Sequence, residues 1–138
     1  LPENISKSLN VQPIEVLKSR DYILVYENET EIRNIKIDPY YFNQINLDPG
    51  GVCITAKGDH CDFVSRFFTP QASILEDPVT GSAHCSLIPF WSDRLQKNKL
   101  FAQQISSRMG KIYCENLGDR VLIGGHAVTY SIGKIWID

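Results

Sequence analysis

The stretch Glu76-Asp77-Pro78-Val79-Thr80-Gly81-Ser82-Ala83-His84 gathers carboxylates, hydroxyls, a glycine and an imidazole just ahead of an apolar run. A helix beginning at Gly81 would present unpaired N–H groups and a positive partial charge to whatever lies before it. Gly81 would let a ligand or another backbone come close, and Thr80 and Ser82 could cap the helix or donate hydroxyl hydrogen bonds. Together these groups would make a pocket for a carboxylate or a phosphate. Asp77 precedes Pro78, which biases its backbone toward extended geometry and could hold its carboxylate at the mouth of that pocket. The same residue types also begin helices that bind nothing, because Asp-Pro turns and Thr-Gly-Ser caps are ordinary helix starts. The stretch is not a nucleophile elbow, since His84 stands two residues after Ser82 where a glycine is needed. It is not a P-loop, since no G-K-[ST] is present.

The elements that must position this stretch are legible in outline. Gly81 to Gln96 reads as the main helix, with Ala83, Cys85, Leu87, Ile88, Phe90, Trp91 and Leu95 covering most of its circumference at about 100° per residue. A helix apolar nearly all round is expected to be buried, with Phe90 and Trp91 among its most buried residues and Pro89 kinking it. Ahead of it, Val52 to Ala56 and Phe63 to Phe68 read as a hairpin turning at Lys57-Gly58-Asp59-His60. Tyr22 to Tyr26 is a further strand, rich in β-branched and aromatic residues. Glu3 to Asn10 suits a short helix, Glu27 to Thr30 a polar turn, and Asp48-Pro49-Gly50 another turn. Asp38-Pro39 offers a helix start leading into Tyr40 to Ile45. The tail is expected to alternate strands and turns: Ile105 to Cys114, Arg120 to Ile123, Ala127 to Tyr130, and Lys134 to Ile137. A sheet wrapped round a central helix is the simplest architecture that buries this helix and pairs these strands, giving an α+β fold in one domain over residues 1–138.

Bulk properties narrow the function classes. The chain has 138 residues with 43% hydrophobic and 22% charged, as in an ordinary globular domain. A net charge of −2 without a basic block argues against nucleic acid or an anionic membrane surface as partner. No apolar run is long enough to span a bilayer, and Leu1-Pro2-Glu3-Asn4 lacks the basic start of a secretory signal, so a cytoplasmic location is expected. Met109 is the only methionine, which suits a processed chain or a piece of a longer one. Cys53, Cys61, Cys85 and Cys114 form no C-x-x-C pair, and His60 beside Cys61 has no matching pair, so neither a zinc site nor disulfides are expected. The cysteines read as core thiols, Cys85 most clearly, on the buried helix. No nucleotide or flavin site is visible, so no cofactor is expected.

Asp62-Phe63-Val64-Ser65-Arg66-Phe67-Phe68-Thr69-Pro70, followed by Glu76 to Cys85, resembles the carboxy-terminal signature of the PhzF-like phenazine-biosynthesis family. Gly118-Asp119-Arg120-Val121 and Gly125-His126-Ala127-Val128 fit the same pattern in the same order. The resemblance covers Gly51 to the end well and the first fifty residues loosely. It implies a diaminopimelate epimerase-like fold, in which two lobes each wrap a curved sheet round a central helix and share an active site in the cleft between them. This chain would then be the carboxy-terminal lobe. Asp77 would be the catalytic acidic side chain, standing where the epimerases carry a cysteine, and Thr80, Gly81 and Ser82 would be the substrate-contacting helix start. A glutamate and a Gly-His motif on the other lobe would complete the site, and no segment of this sequence matches either. The expected activity is cofactor-independent isomerisation or epimerisation of a small carboxylic acid by proton transfer, incomplete in the isolated chain. The rival readings are a non-catalytic anion-binding domain and a half-protein completed by another chain. Expected partners are a small carboxylic-acid substrate and the missing amino-terminal lobe, with a homodimer also open. Arg66 and His84 are further candidates for the site: Arg66 could pair with Asp77 or Glu76, and His84 could be structural or catalytic. His60 and His126 are expected to be chemically idle.

Overall fold

A computed structural model describes residues 1–47 and 50–137. The expected turn at Asp48-Pro49-Gly50 lies largely outside the described residues. The elements are α1 (Glu3–Ser8), β1 (Glu15–Lys18), β2 (Tyr22–Val25), α2 (Glu29–Asn34), α3 (Pro39–Phe42), β3 (Val52–Lys57), β4 (Phe63–Phe68), β5 (Glu76–Asp77), α4 (Gly81–Leu95), β6 (Lys99–Gln104), β7 (Gly110–Asn116) and β8 (Val121–Gly124). The strands form one open, mixed sheet in the order β1-β2-β3-β4-β6-β7-β8, with the short β5 pairing β4 beside it. β2 runs parallel to β3 and β4 parallel to β6, while the other pairs are antiparallel. The fold is α+β. Among the described residues no helix is long and apolar enough to cross a membrane.

The central strands explain the layering. β3 is buried on both faces: Val52, Ile54 and Ala56 face one apolar cluster and Cys53 the other. β4 does the same, sending Val64 and Phe68 one way and Phe63 and Phe67 the other. Such near-continuous apolar runs are what a strand covered on both faces requires. The first cluster is closed by Ile5 and Leu9 near α1, Ile32 of α2 and Phe42 of α3. The second is closed by Ala83, Leu87, Ile88 and Trp91 of α4, against Leu100, Ala102, Ile112 and Cys114 of β6 and β7. Gly51 admits this packing, since a Cβ there would come within 2.4 Å of the Phe67 ring.

Several expectations are corrected. The polar stretch from Glu27 does not merely turn. Asn28 accepts from the Glu31 N–H at 2.9 Å and so caps α2. The helix after Asp38 ends at Phe42, and Gln44 and Ile45 continue only as tight turns onto Tyr41 and Phe42. The hairpin loop is longer than expected and closes from Gly58 N–H to the Asp62 carbonyl. The strand expected from Ile105 to Cys114 begins only at Gly110, as β7, because Ile105 to Met109 form the turn that links it to β6, a strand over Lys99–Gln104 that sequence reasoning does not place. The strands expected at Ala127 to Tyr130 and Lys134 to Ile137 are absent: these residues have no regular structure and stand exposed.

α4 is not buried all round. Gly81, Ser82, Cys85, Pro89 and Asp93 form an exposed stripe, because the sheet covers only the opposite side. Cys85, expected in the core, is therefore exposed, whereas Cys53 and Cys114 are buried and Cys61 half-buried. Burial pushes the Cys61 and Cys114 thiols up to about 11, and raises that of Cys53 as well. α4 runs on through Pro89 because Pro89 and Cys85, whose carbonyl it leaves without an N–H, both lie on the solvent side. Phe90 is half-buried and meets Trp91 edge-on at 5.3 Å. The helix stops at Leu95, where Gln96 takes a left-handed conformation and Lys97 N–H bonds the Ser92 carbonyl.

Candidate active site

β5 gives Asp77 the extended backbone that Pro78 favours, with Glu76 and Asp77 paired to Phe68 and Phe67 of β4. The loop from Asp77 to Thr80 then delivers the chain into α4. Thr80 is the residue preceding the helix, yet its side chain makes no cap bond. Its hydroxyl instead donates to Asp77 Oδ2 at 2.5 Å. The described residues supply no hydrogen bond to the other oxygen of the half-buried Asp77 carboxylate. The consequence is twofold: one carboxylate oxygen is held in place while the other is available, and the first N–H groups of α4 keep their capacity for an outside acceptor. Gly81 faces open space, with nothing within 4 Å of where a Cβ would stand.

The loop is fixed from across the sheet by a residue that sequence reasoning missed. Gln104, wholly buried at the end of β6, accepts from the Thr80 N–H at 2.7 Å through Oε1. Its Nε2 donates to the Asp77 carbonyl at 2.8 Å and to Thr80 Oγ1 at 3.2 Å. Ser106 adds a bond from its hydroxyl to the Pro78 carbonyl at 2.8 Å. These bonds satisfy a half-buried loop that would otherwise carry unpaired backbone groups. A second missed residue is Arg20, in the turn between β1 and β2. Its guanidinium lies 3.4 Å from Ser82 Oγ and half-exposed, so a fixed positive charge stands beside the amino end of α4. Nothing in the local sequence announces either contact, because the partners are remote along the chain.

The structure separates the two further candidates from this surface. Arg66 is committed elsewhere: Nε and Nη2 bind the Glu76 carboxylate at 2.7 and 3.0 Å, and Nη1 donates to the Ile32 and Ile35 carbonyls. It ties the end of α2 to β4 and β5 rather than reaching Asp77. His84 is wholly buried on the core side of α4, near the Phe63 ring. Its Nδ1 lies 2.8 Å from the Thr80 carbonyl, which makes Nδ1 the donor and leaves Nε2 unprotonated and without a partner among the described residues. His60 is exposed, and His126 sits edge-on to Tyr113 at 5.4 Å. The described residues contain no group of His, Cys, Asp and Glu side chains arranged to hold a metal.

Burial holds the His84 imidazole below its ordinary value of 6.5, and the Thr80 carbonyl offsets this only partly. The folded state therefore binds fewer protons than the unfolded chain once the pH drops below 6.5. Stability linked to His84 is full above that pH and is lost as the pH falls toward the folded value. Urea unfolding midpoints should fall as the pH drops below about 6.5 in the wild type and stay flatter in His84→Gln. Parallel curves for the two proteins would remove His84 as the source.

The family model described as "Phenazine biosynthesis-like protein" matches residues 4–133. The chain is 47% identical over 132 residues to an uncharacterized isomerase of Pseudomonas aeruginosa, covering 95% of this chain and 50% of that protein. It is 34% identical over 144 residues to the human phenazine biosynthesis-like domain-containing protein, covering 98% of this chain and 48% of that one. Among solved structures, a PhzF-family phenazine biosynthesis protein of Enterococcus faecalis superposes with a TM-score of 0.86 at 38% identity, covering 99% of this chain and 52% of that chain. The chain thus spans about half the length of each of these relatives.

Proposed function

Because this chain belongs to the phenazine biosynthesis-like family, we propose that it is the carboxy-terminal lobe of a two-lobe, cofactor-independent isomerase of small carboxylic acids. Asp77 is the group that moves the proton, and the amino end of α4 with Arg20 holds the substrate's carboxylate. The observation that carries this reading is the diversion of the Thr80 hydroxyl from capping α4 to holding Asp77. One hydrogen bond thereby aims a carboxylate and leaves an anion site uncapped next to it. In this scheme the Asp77 carboxylate exchanges a proton at the substrate carbon while the helix end and Arg20 stabilise negative charge on the adjoining carboxylate. A second group, on the other lobe, completes the transfer, so the isolated chain binds without turning over.

A non-catalytic anion module is the second reading, favoured specifically by the Arg20 guanidinium, which serves binding without any proton chemistry. Titration of the isolated chain with acetate, followed by amide NMR, should move Gly81, Ser82 and Ala83 most. Gly81→Ala should suppress those shifts while leaving stability unchanged or raising it by about 0.4–1 kcal/mol, since the position is open and the helix prefers alanine. Largest shifts elsewhere would remove the helix-end site. Steady solvent deuterium exchange into a substrate by this chain alone would remove the requirement for a second lobe.

A further inference from the structure

The side-chain amide of Gln104 can stand only one way round. Its Oε1 faces the Thr80 N–H, which can only donate, and its Nε2 faces the Asp77 carbonyl, which can only accept. A flipped amide would set donor against donor and acceptor against acceptor, and Gln104 is wholly buried, so no solvent would relieve them. This orientation has a consequence at the Thr80 hydroxyl. Nε2 also donates toward Thr80 Oγ1 at 3.2 Å, and an amide nitrogen has no lone pair with which to accept a hydrogen back. Thr80 Oγ1 therefore receives a hydrogen from Gln104, and its own single hydrogen leaves in another direction. Asp77 Oδ2, 2.5 Å away, is the acceptor that it meets. Thr80 is held at its carbonyl too, which takes the His84 Nδ1–H at 2.8 Å.

We propose that Gln104 is a positioning residue for the acid–base step: acting through Thr80, it keeps Asp77 Oδ2 an acceptor and so reserves Oδ1 as the oxygen that takes and returns the substrate's proton. The inference rests on the acid–base role of Asp77 proposed above and names the atom at which Asp77 acts. A proton on Oδ2 would point at a hydroxyl whose hydrogen already points back. Thr80 would then have to turn its hydrogen away from both neighbours, and the described residues give it no other acceptor. A proton on Oδ1 disturbs none of these bonds, because the described residues supply that oxygen with none. The donors thus run in one sense from the buried amide to the open surface, Gln104 to Thr80 to Asp77, and hydrogen bonds in such a chain polarise one another. Direction separates Gln104 from Ser106, which also braces the loop, through the Pro78 carbonyl, but gives no hydrogen to the chain that ends on the carboxylate.

The test is an NMR measurement on the full chain, with carbon-13 in its aspartate side chains, at neutral pH and without ligand. In a mixture of H2O and D2O, deuterium in the Thr80 hydroxyl should shift the Asp77 Cγ resonance across the hydrogen bond. Gln104→Glu keeps the size of the side chain but sets an acceptor oxygen where Nε2 stood. The Thr80 hydroxyl should then turn toward residue 104, and the isotope shift at Asp77 should be lost. Thr80→Ser should retain the shift, because the hydroxyl and its neighbours remain. Ser106→Ala should lower the urea midpoint yet retain the shift, which separates direction from bracing. Thr80→Val supplies a second reading that does not depend on Gln104→Glu folding. One Gln104 side-chain amide hydrogen should move upfield as its bond to Oγ1 is lost, while the other, on the Asp77 carbonyl, stays in place. An isotope shift that persists in folded Gln104→Glu, or Gln104 hydrogens that ignore Thr80→Val, overturns the inference and leaves Asp77 free to act as a base. A wild type without the isotope shift removes the Thr80–Asp77 bond itself, and the inference falls together with the observation behind the proposed function. Unslowed exchange in Asp77→Asn would end the acid–base role with this chain of bonds still standing.

Discussion

Asp77→Asn, placed in a protein that carries both lobes, should slow solvent deuterium exchange into substrate by about 100- to 10,000-fold, the usual contribution of a general acid–base group. The amide keeps the shape of the side chain, and its oxygen can still accept from the Thr80 hydroxyl that now holds Asp77 Oδ2. What it loses is the ability to take a proton at neutral pH. The loop should remain in place, because Gln104 grips the Asp77 and Thr80 backbone rather than the carboxylate. The unfolding midpoint should therefore change little, within the range of substitutions away from core and caps, about 0.5 kcal/mol. If Asp77 serves only the entry into α4, the pattern reverses: exchange is nearly unaffected and the midpoint falls. Measuring both on one variant separates catalysis from architecture.

Trp91→Ala should cost about 3–5 kcal/mol in urea unfolding of the chain. Trp91 is 4% exposed at the centre of the α4 cluster and stacks on Phe63 of β4, with ring centroids 5.7 Å apart and planes 6° apart. Its Nε1–H donates to Thr55 Oγ1 at 3.0 Å. Thr55 in turn donates to the Val64 carbonyl at 2.7 Å, so the indole closes a chain of bonds linking α4, β3 and β4. Truncation leaves a cavity against Phe63, while Thr55 keeps the bond in which it is the donor. Trp91→Phe should recover much of the loss, since the ring contact persists and one hydrogen bond is given up. A loss below about 1 kcal/mol for the alanine variant would place Trp91 outside the core that holds α4 on the sheet.

The contrast between Trp91 and Cys85 shows what the sequence could convey about α4. Its limits are legible from the Thr-Gly-Ser entry and the apolar run, and β3 and β4 from runs buried on both faces. The direction α4 faces is not legible, because Cys85 counts as apolar by composition yet lies on the solvent side. β1 is an edge strand of four residues with alternating exposure and no dense apolar signal. β6 reads weakly because its inward positions are Leu100, Ala102 and Gln104, the last of them polar. Gln104 is buried only because its amide is consumed by Thr80 and Asp77, partners 24 and 27 residues away. Likewise the Asp77–Thr80 stretch is conspicuous in sequence, while the contacts that shape it are not. Arg20 and Ser82 meet across 62 residues through the sheet order alone. The strands expected at Ala127 to Tyr130 and Lys134 to Ile137 are legible as apolar, β-branched runs but pair with no strand among the described residues.

The hold of Gln104 on the Asp77–Thr80 loop also sets when the site comes into being. β4 and β6 lie side by side and parallel, so they can meet only after the intervening chain, α4 included, has crossed over the sheet. Until that crossover is made, the Thr80 N–H and the Asp77 carbonyl have no Gln104 to bind, and the loop has no fixed shape. Pairings between strands so far apart along the chain form late, because the entropy of closing the connection must be met first. The loop that carries Asp77 is therefore fixed only once β4 and β6 have paired, and a partly unfolded chain in which they have not carries the residues of the site without the site.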